Sequence, residues 1–200
     1  MFNRLQFKIF VIILFIVIVF MYVLRFGILP NSDSKMNAVL APATFTISSS
    51  THGLHNRLFV ADLHTDALLW GRDLSQRYAR GHVDLPRLQQ GGVDLQVFSV
   101  VTKAAKSAGN LANSGDKDSL PLLFLAAWRS PLSWFSAKGR ALVQAEELQT
   151  LVDDNLLTLV LRREDLKADG LKGLLALEGM HALEGEEQAL KQLYDVGYRM

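Results

Sequence analysis

The chain has 200 residues, half of them hydrophobic, with 21 Lys and Arg against 20 Asp and Glu, five His and no Cys. Three of the bases, Arg4, Lys8 and Arg25, lie in the first thirty residues, so the remainder is mildly acidic and offers no basic patch for nucleic acid. The lack of cysteine excludes disulfides and thiolate zinc sites, leaving His and carboxylates as the only strong metal ligands.

Ile9 to Leu24 is uncharged, and apolar character resumes after Arg25 from Phe26 to Leu29. A spanning helix needs about 20 residues and a signal-peptide core roughly 7 to 15, so residues 1–29 are expected to form an uncleaved single-pass transmembrane helix. Arg4 and Lys8 should keep its amino end cytoplasmic, which places the rest in the periplasm or outside the cell. The small-residue triplet Ala41-Pro42-Ala43 resembles a cleavage site but lies far beyond the apolar stretch. Residues 30–56, rich in Ser, Thr, Asn and Ala without a sustained period, read as a flexible linker.

From residue 57 to 200 the pattern is that of one domain. Leu58 to Asp66 is an apolar strand running into His-x-Asp, and side chains two apart on a strand share a face, so His64 and Asp66 point the same way. Imidazole nitrogen and carboxylate oxygen both bind zinc, and at a strand's carboxyl end they stay open to substrate. Asp62 shares their register, either orienting His64 or satisfying local backbone donors, and is left off the ligand list. Taken alone, the pair is more often a hydrogen-bonded one without metal.

Asp84 before Leu85 and Pro86 marks a helix start and Gly91-Gly92 its stop; Val93 to Val101 is then a buried strand. Lys103 to Ser119, with Gly109, Asn113, Ser114, Gly115 and Asp116, reads as a loop. Leu142, Ala145, Leu148, Leu151 and Val152 recur at helical spacing ahead of Asp153, Asp154 and Asn155. Leu156 to Leu161 is a short strand candidate, Glu164 to Ala168 a helical turn, and Leu174 to Leu177 a strand that delivers Glu178, with Gly179 permitting a sharp exit. Glu184, Glu186 and Glu187 should open a last helix that turns Leu190 and Leu193 inward and closes at Gly197.

Alternating strands and helices imply an α/β fold on a parallel sheet, for which a TIM-like (β/α)8 barrel is the natural candidate. A typical barrel takes about 250 residues, so only its first three or so units fit between Leu58 and Met200. Glu178 is placed to join His64 and Asp66. A glutamate can give one oxygen to each of two cations, and such a pair can activate a hydroxide between them.

Several ordered blocks, from about His55 to the end, resemble the membrane dipeptidase family, the renal dipeptidase-like or M19 metallopeptidases. They are Val60-Ala61-Asp62-Leu63-His64-Thr65-Asp66, then Val83-Asp84-Leu85-Pro86-Arg87-Leu88 through Gly91-Gly92-Val93-Asp94-Leu95-Gln96-Val97-Phe98-Ser99, then Leu177-Glu178-Gly179-Met180-His181 with Leu193-Tyr194-Asp195-Val196-Gly197-Tyr198-Arg199. The resemblance implies a distorted eight-stranded metallohydrolase barrel that cleaves dipeptides with two zinc ions. His64 and Asp66 would bind one zinc, Glu178 would bridge both as the catalytic carboxylate, and a zinc-bridging hydroxide would attack the peptide carbonyl. Met180 departs from the family, which usually has a small residue there. The family's second-zinc histidines, its substrate-binding histidine and arginine, and its acid-base aspartate correspond to positions beyond Met200. The chain is therefore expected to be an amino-terminal fragment, inactive alone.

Alternatives stay open on the sequence: another two-metal barrel hydrolase, which would usually begin with His-x-His, or a membrane-anchored, non-catalytic remnant or binding module. An unpaired edge of an incomplete parallel sheet would favour self-association, for instance as a homodimer. His181 is a weak candidate for touching substrate or supporting Glu178, whereas His52, His55 and His82 read as surface residues. Trp128, Trp134 and Phe135 suggest a lid or, more simply, packing. Glu146, Glu147, Glu186 and Glu187 read as solvated helix faces.

Overall fold

In the computed structural model, which describes residues 3–40, 45–105, 108–109, 112–113 and 117–200, the opening apolar run is helix α1 (Arg4–Val23). Asn3 and Gln6 cap it reciprocally, each side chain accepting from the other's backbone N–H. A π-helical segment, Leu24–Ile28, leads into α2 (Leu29–Met36), so Pro30 falls inside a helical run rather than ending it. Proline clashes with the carbonyl four residues earlier, and the wider π turn over that stretch accommodates it. Arg4–Met36 is thus one helical stretch of 33 residues, long and apolar enough to cross a membrane.

The helix passes the boundary expected at Leu29 because Asp33 anchors its end. Asp33 is 2% exposed; its carboxylate accepts from Arg80 Nε at 2.5 Å and from Asn37 Nδ2 at 2.7 Å. Farther along the stretch read as a linker lies α3 (Ser49–His55), capped by the Ser48 hydroxyl, with His55 Nε2 2.9 Å from the Gly91 carbonyl oxygen. The triplet Ala41-Pro42-Ala43 lies outside the described residues.

The domain follows in the order β1 (Ala61–Thr65), α4 (Leu85–Gln90), β2 (Leu95–Val101), the short pair β3 (Ala108–Gly109) and β4 (Ala112–Asn113), α5 (Leu120–Ala126), α6 (Pro131–Phe135), α7 (Ala137–Asp153), β5 (Thr158–Leu159), β6 (Lys172–Glu178) and α8 (Glu187–Asp195). The loop expected from Lys103 to Ser119 thus includes the antiparallel β3–β4 pair; Ser114, Gly115 and Asp116 lie outside the described residues. Helix α4 starts as its sequence dictates: Asp84 accepts from Arg87 N at 2.9 Å, and Pro86 occupies the first turn.

Four strands form a parallel sheet in the order β1-β2-β6-β5. Strand β2 lies between two neighbours and is buried almost throughout, which is why it reads as a continuous apolar run rather than an alternating one. Phe98 and Val100 on β2 and Leu175 on β6 pack with Ala141, Ala145, Leu148 and Leu151 of α7. The opposite face of the sheet, by alternation, carries the smaller Ser99 and its register partner Ala176, and then Glu178 beside Val101. The result is a mixed α/β fold on an open parallel sheet; among the described residues it does not close into a barrel.

One expectation about a helix face changes. On α8 the inward pair is Ala189 and Leu193, four apart and so on one face, whereas Leu190, about 100° round from Ala189, is 59% exposed. Helices α5 and α6 lie in a stretch to which the sequence assigns no element, and Pro121 and Pro131 stand in their first turns.

Candidate metal centre

The site begins at the end of β1, where the register against β2 shifts between Asp62 and Thr65. Such irregularities re-aim side chains. Here the Asp62 carboxylate accepts from the backbone N–H of His64 at 3.1 Å, so it serves the local chain and leaves the imidazole to others. Asp66 follows in the sparsely populated bridge region, φ −92° and ψ 23°, and starts the 3₁₀ turn Ala67–Trp70.

Glu178 arrives from β6, separated from β1 by β2. Gly179 then leaves at φ 79° and ψ 155°, a conformation essentially restricted to glycine, so the chain can turn away at once. A Cβ there would also stand 3.1 Å from His181 Nδ1.

His64 Nε2 lies 3.2 Å from Asp66 Oδ1 and 3.4 Å from Glu178 Oε2. One donor atom from each of the three residues falls within 4.8 Å of the other two. Their side chains are 60%, 44% and 49% exposed, so the cluster opens to solvent at the carboxyl ends of its strands. Two carboxylates converging on one ring nitrogen repel each other, and a divalent cation between them relieves that repulsion while accepting all three donors.

The ring's other nitrogen has its own partner. Ser99 Oγ, on a residue 4% exposed, lies 3.1 Å from His64 Nδ1. When Nε2 gives its lone pair to a cation, Nδ1 carries the hydrogen and the serine oxygen accepts it, which fixes both tautomer and ring orientation. Sequence reading missed Ser99; the available signal is a hydroxyl inside a strand whose other residues, Gln96 apart, are apolar.

Two buried polar networks hold the elements that present these donors. Arg129, 6% exposed, grips Glu147 through Nε at 2.8 Å and Nη2 at 2.6 Å, and also donates to the carbonyl oxygens of Leu68 and Leu69 in the turn after Asp66. Glu147 is therefore a partly buried ion-pair partner, its side chain 33% exposed, and not the fully solvated residue its helical position suggests. Burial pushes its carboxyl group above the usual range and the Arg129 guanidinium below its own. Arg140, 3% exposed, donates to the Thr102 carbonyl at 2.7 Å and to Asp118 Oδ2 at 2.6 Å, tying α7 to the chain leaving β2.

Beyond Glu178, the Glu184 carboxylate accepts from Ser136 Oγ at 2.8 Å and Lys138 N at 3.1 Å, at the start of α7. Partial burial works to raise its pKa, but the hydrogen bonds from Lys138 and Ser136 prevail and hold it below the usual carboxylate value.

The structure thus brings His64, Asp66 and Glu178 together and leaves the weaker candidates apart. His181 sits on the exposed 3₁₀ turn Met180–Leu183 and is not in the donor group. His52 and His82 are exposed, and His55 is taken up by Gly91. Trp134 donates to the Arg129 carbonyl at 3.0 Å, while Trp128 and Phe135 are 52% and 88% exposed.

Residues 49–200 match the model of the membrane dipeptidase family, peptidase family M19. No curated protein and no solved structure matches the chain.

Proposed function

The chain belongs to the membrane dipeptidase family, and we propose that it carries the first ligands of a zinc-dependent dipeptidase centre, His64, Asp66 and Glu178. The observation that supports this most is the convergence of His64 Nε2 on one oxygen from each carboxylate, at 3.2 and 3.4 Å, from strands that are not neighbours in the sheet. A zinc ion held by such a nitrogen and oxygen set supplies Lewis acidity toward a peptide carbonyl and lowers the pKa of coordinated water. The chain's own residues prepare for this. Ser99 keeps the His64 lone pair turned to the cluster, Asp66 and Glu178 supply negative charge, and the two oxygens of Glu178 allow it to serve two ions.

On this reading the four parallel strands are the opening part of a (β/α)8 barrel, with the cluster at the carboxyl ends where barrel enzymes hold their chemistry. Three donors secure one ion and leave a second with a share of Glu178 alone. Turnover therefore needs ligands in addition to these three, and the chain by itself is expected to bind zinc without hydrolysing dipeptides. Helix α1 is the membrane anchor, with Arg4 and Lys8 on the cytoplasmic side and residues 57–200 on the other.

Cobalt(II) in place of zinc gives a visible spectrum that reports the ligands. For the full chain in detergent micelles, saturable perturbation of that spectrum by a dipeptide, lost in Glu178→Gln, is the expected result. Perturbation by a phosphomonoester and not by a dipeptide would instead assign the centre to a different hydrolysis.

A further inference from the structure

The carboxyl end of the spanning helix is packed against the domain. Leu24 and Leu29, 2% and 4% exposed, form a small core with Ala126 of α5, and Leu123 and Leu125 pack against it. Phe26 meets Trp128 edge to face, with ring centroids 5.7 Å apart. A bilayer core takes about 20 helical residues, and counted from Ile9 these end at Ile28. The contacts between Leu24, Phe26 and α5 therefore occur at the level of the outer leaflet, not above it.

Beside these contacts, α5 and the adjoining α6 expose apolar side chains. Leu122 and Trp128 are 53% and 52% exposed, and Leu132 and Phe135 on α6 are 75% and 88% exposed. Trp128 holds its outward place at a conformational cost. Its φ is 57°, and its N–H and that of Arg129 close onto Leu125 and Phe124 in the C-terminal helix motif that normally puts glycine there. A tryptophan kept where glycine fits best, turned onto the last turn of a spanning helix, has the character of an interfacial anchor.

We infer that the α5–α6 elbow is a lipid-contacting surface of the domain, which inserts Leu122, Trp128, Leu132 and Phe135 into the outer interface of the bilayer and so fixes the height and tilt of the metal cluster above it. The inference rests on the reading of α1 as a membrane span. The contact of Trp128 with Phe26 at the packed end of that helix, with α6 adjoining α5, selects lipid as its occupant.

The chain has no cysteine, so a single cysteine can carry an environment-sensitive fluorophore at one chosen point. The full chain is reconstituted in phosphatidylcholine vesicles, with Phe135→Cys or Lys191→Cys labelled. Lipids brominated near the headgroup end of their acyl chains should remove most of the emission at position 135 and shift it to the blue, leaving position 191 unchanged. Intrinsic emission of the variant carrying Trp70→Phe and Trp134→Phe should show the same quenching for Trp128. Trp128→Gly, which suits the left-handed backbone, should keep the fold in detergent and lessen the shift at position 135. Flotation of the vesicles after an alkaline wash separates the two readings. A chain that floats with positions 128 and 135 unquenched overturns the lipid surface alone, and one that does not float overturns the membrane span and this inference with it.

Discussion

Ser99 Oγ lies 3.1 Å from His64 Nδ1, a contact made from the inner strand β2 to the metal-binding candidate on the edge strand β1. The nitrogen that faces Asp66 and Glu178 is the other one. A single buried hydroxyl therefore decides which lone pair the cluster can use. Ser99→Ala should weaken zinc binding by about 10- to 100-fold, the usual cost of losing such a partner, while leaving the melting temperature in the absence of zinc little changed. Competition with a chromogenic chelator measures the first and differential scanning fluorimetry the second. Unchanged zinc affinity would show that the contact does not orient the ring.

Arg129 and Glu147 form a bidentate pair that also caps the turn after Asp66. Removing Arg129 leaves the partly buried Glu147 charge without its partner and strands two carbonyl oxygens. Arg129→Met should cost about 1 to 3 kcal/mol, read by urea unfolding in micelles. The double change Arg129→Met with Glu147→Leu should recover a good part of that loss, since both desolvation costs disappear together. A double variant as unstable as the single would mean that the carbonyl contacts, rather than the ion pair, dominate.

Gly179 combines a positive φ with an extended ψ directly after Glu178. An L side chain there is strained by about 1 to 3 kcal/mol, and the simplest relief is to rotate the preceding peptide and with it Glu178. Gly179→Ala is expected to lower both stability and zinc affinity. If stability falls while zinc binds as before, Glu178 keeps its place without the glycine.

Glu184 couples the turn after the cluster to α7, and its pKa is held below the ordinary 4.5. A carboxylate with a lowered folded pKa stabilises the fold above its unfolded pKa, and that contribution is lost as pH falls through the folded value. The difference in melting temperature between the native chain and Glu184→Gln should therefore be present at pH 7 and shrink below about pH 4.5. A difference that stays constant with pH would assign the effect to shape rather than charge.

What could be read from the sequence and what could not have physical reasons. Strands β2 and β6 were legible because buried parallel strands are apolar runs bounded by turns, and α4 because Asp84, Pro86 and the glycine pair mark both ends. His64, Asp66 and Glu178 stood out as polar groups at the ends of such runs, and the structure places their donor atoms in one group. Ser99 was hidden since strand periodicity treats a small hydroxyl as filler. Pairings between distant segments, such as Arg129 with Glu147 or Asp33 with Arg80, leave no local pattern at all. Leu190 misleads because Leu190 and Ala189 are both apolar at helical spacing from Leu193, and only packing selects the small Ala189 for the buried face.

The convergence of His64, Asp66 and Glu178 is tested most directly by calorimetric titration of zinc into the full chain in detergent micelles. One saturable site per chain is expected, weakened roughly 100-fold or more, about 2.7 kcal/mol, by His64→Ala and likewise by Glu178→Gln. Zinc bound with undiminished affinity by the variant lacking all three side chains would contradict the assignment of the metal centre.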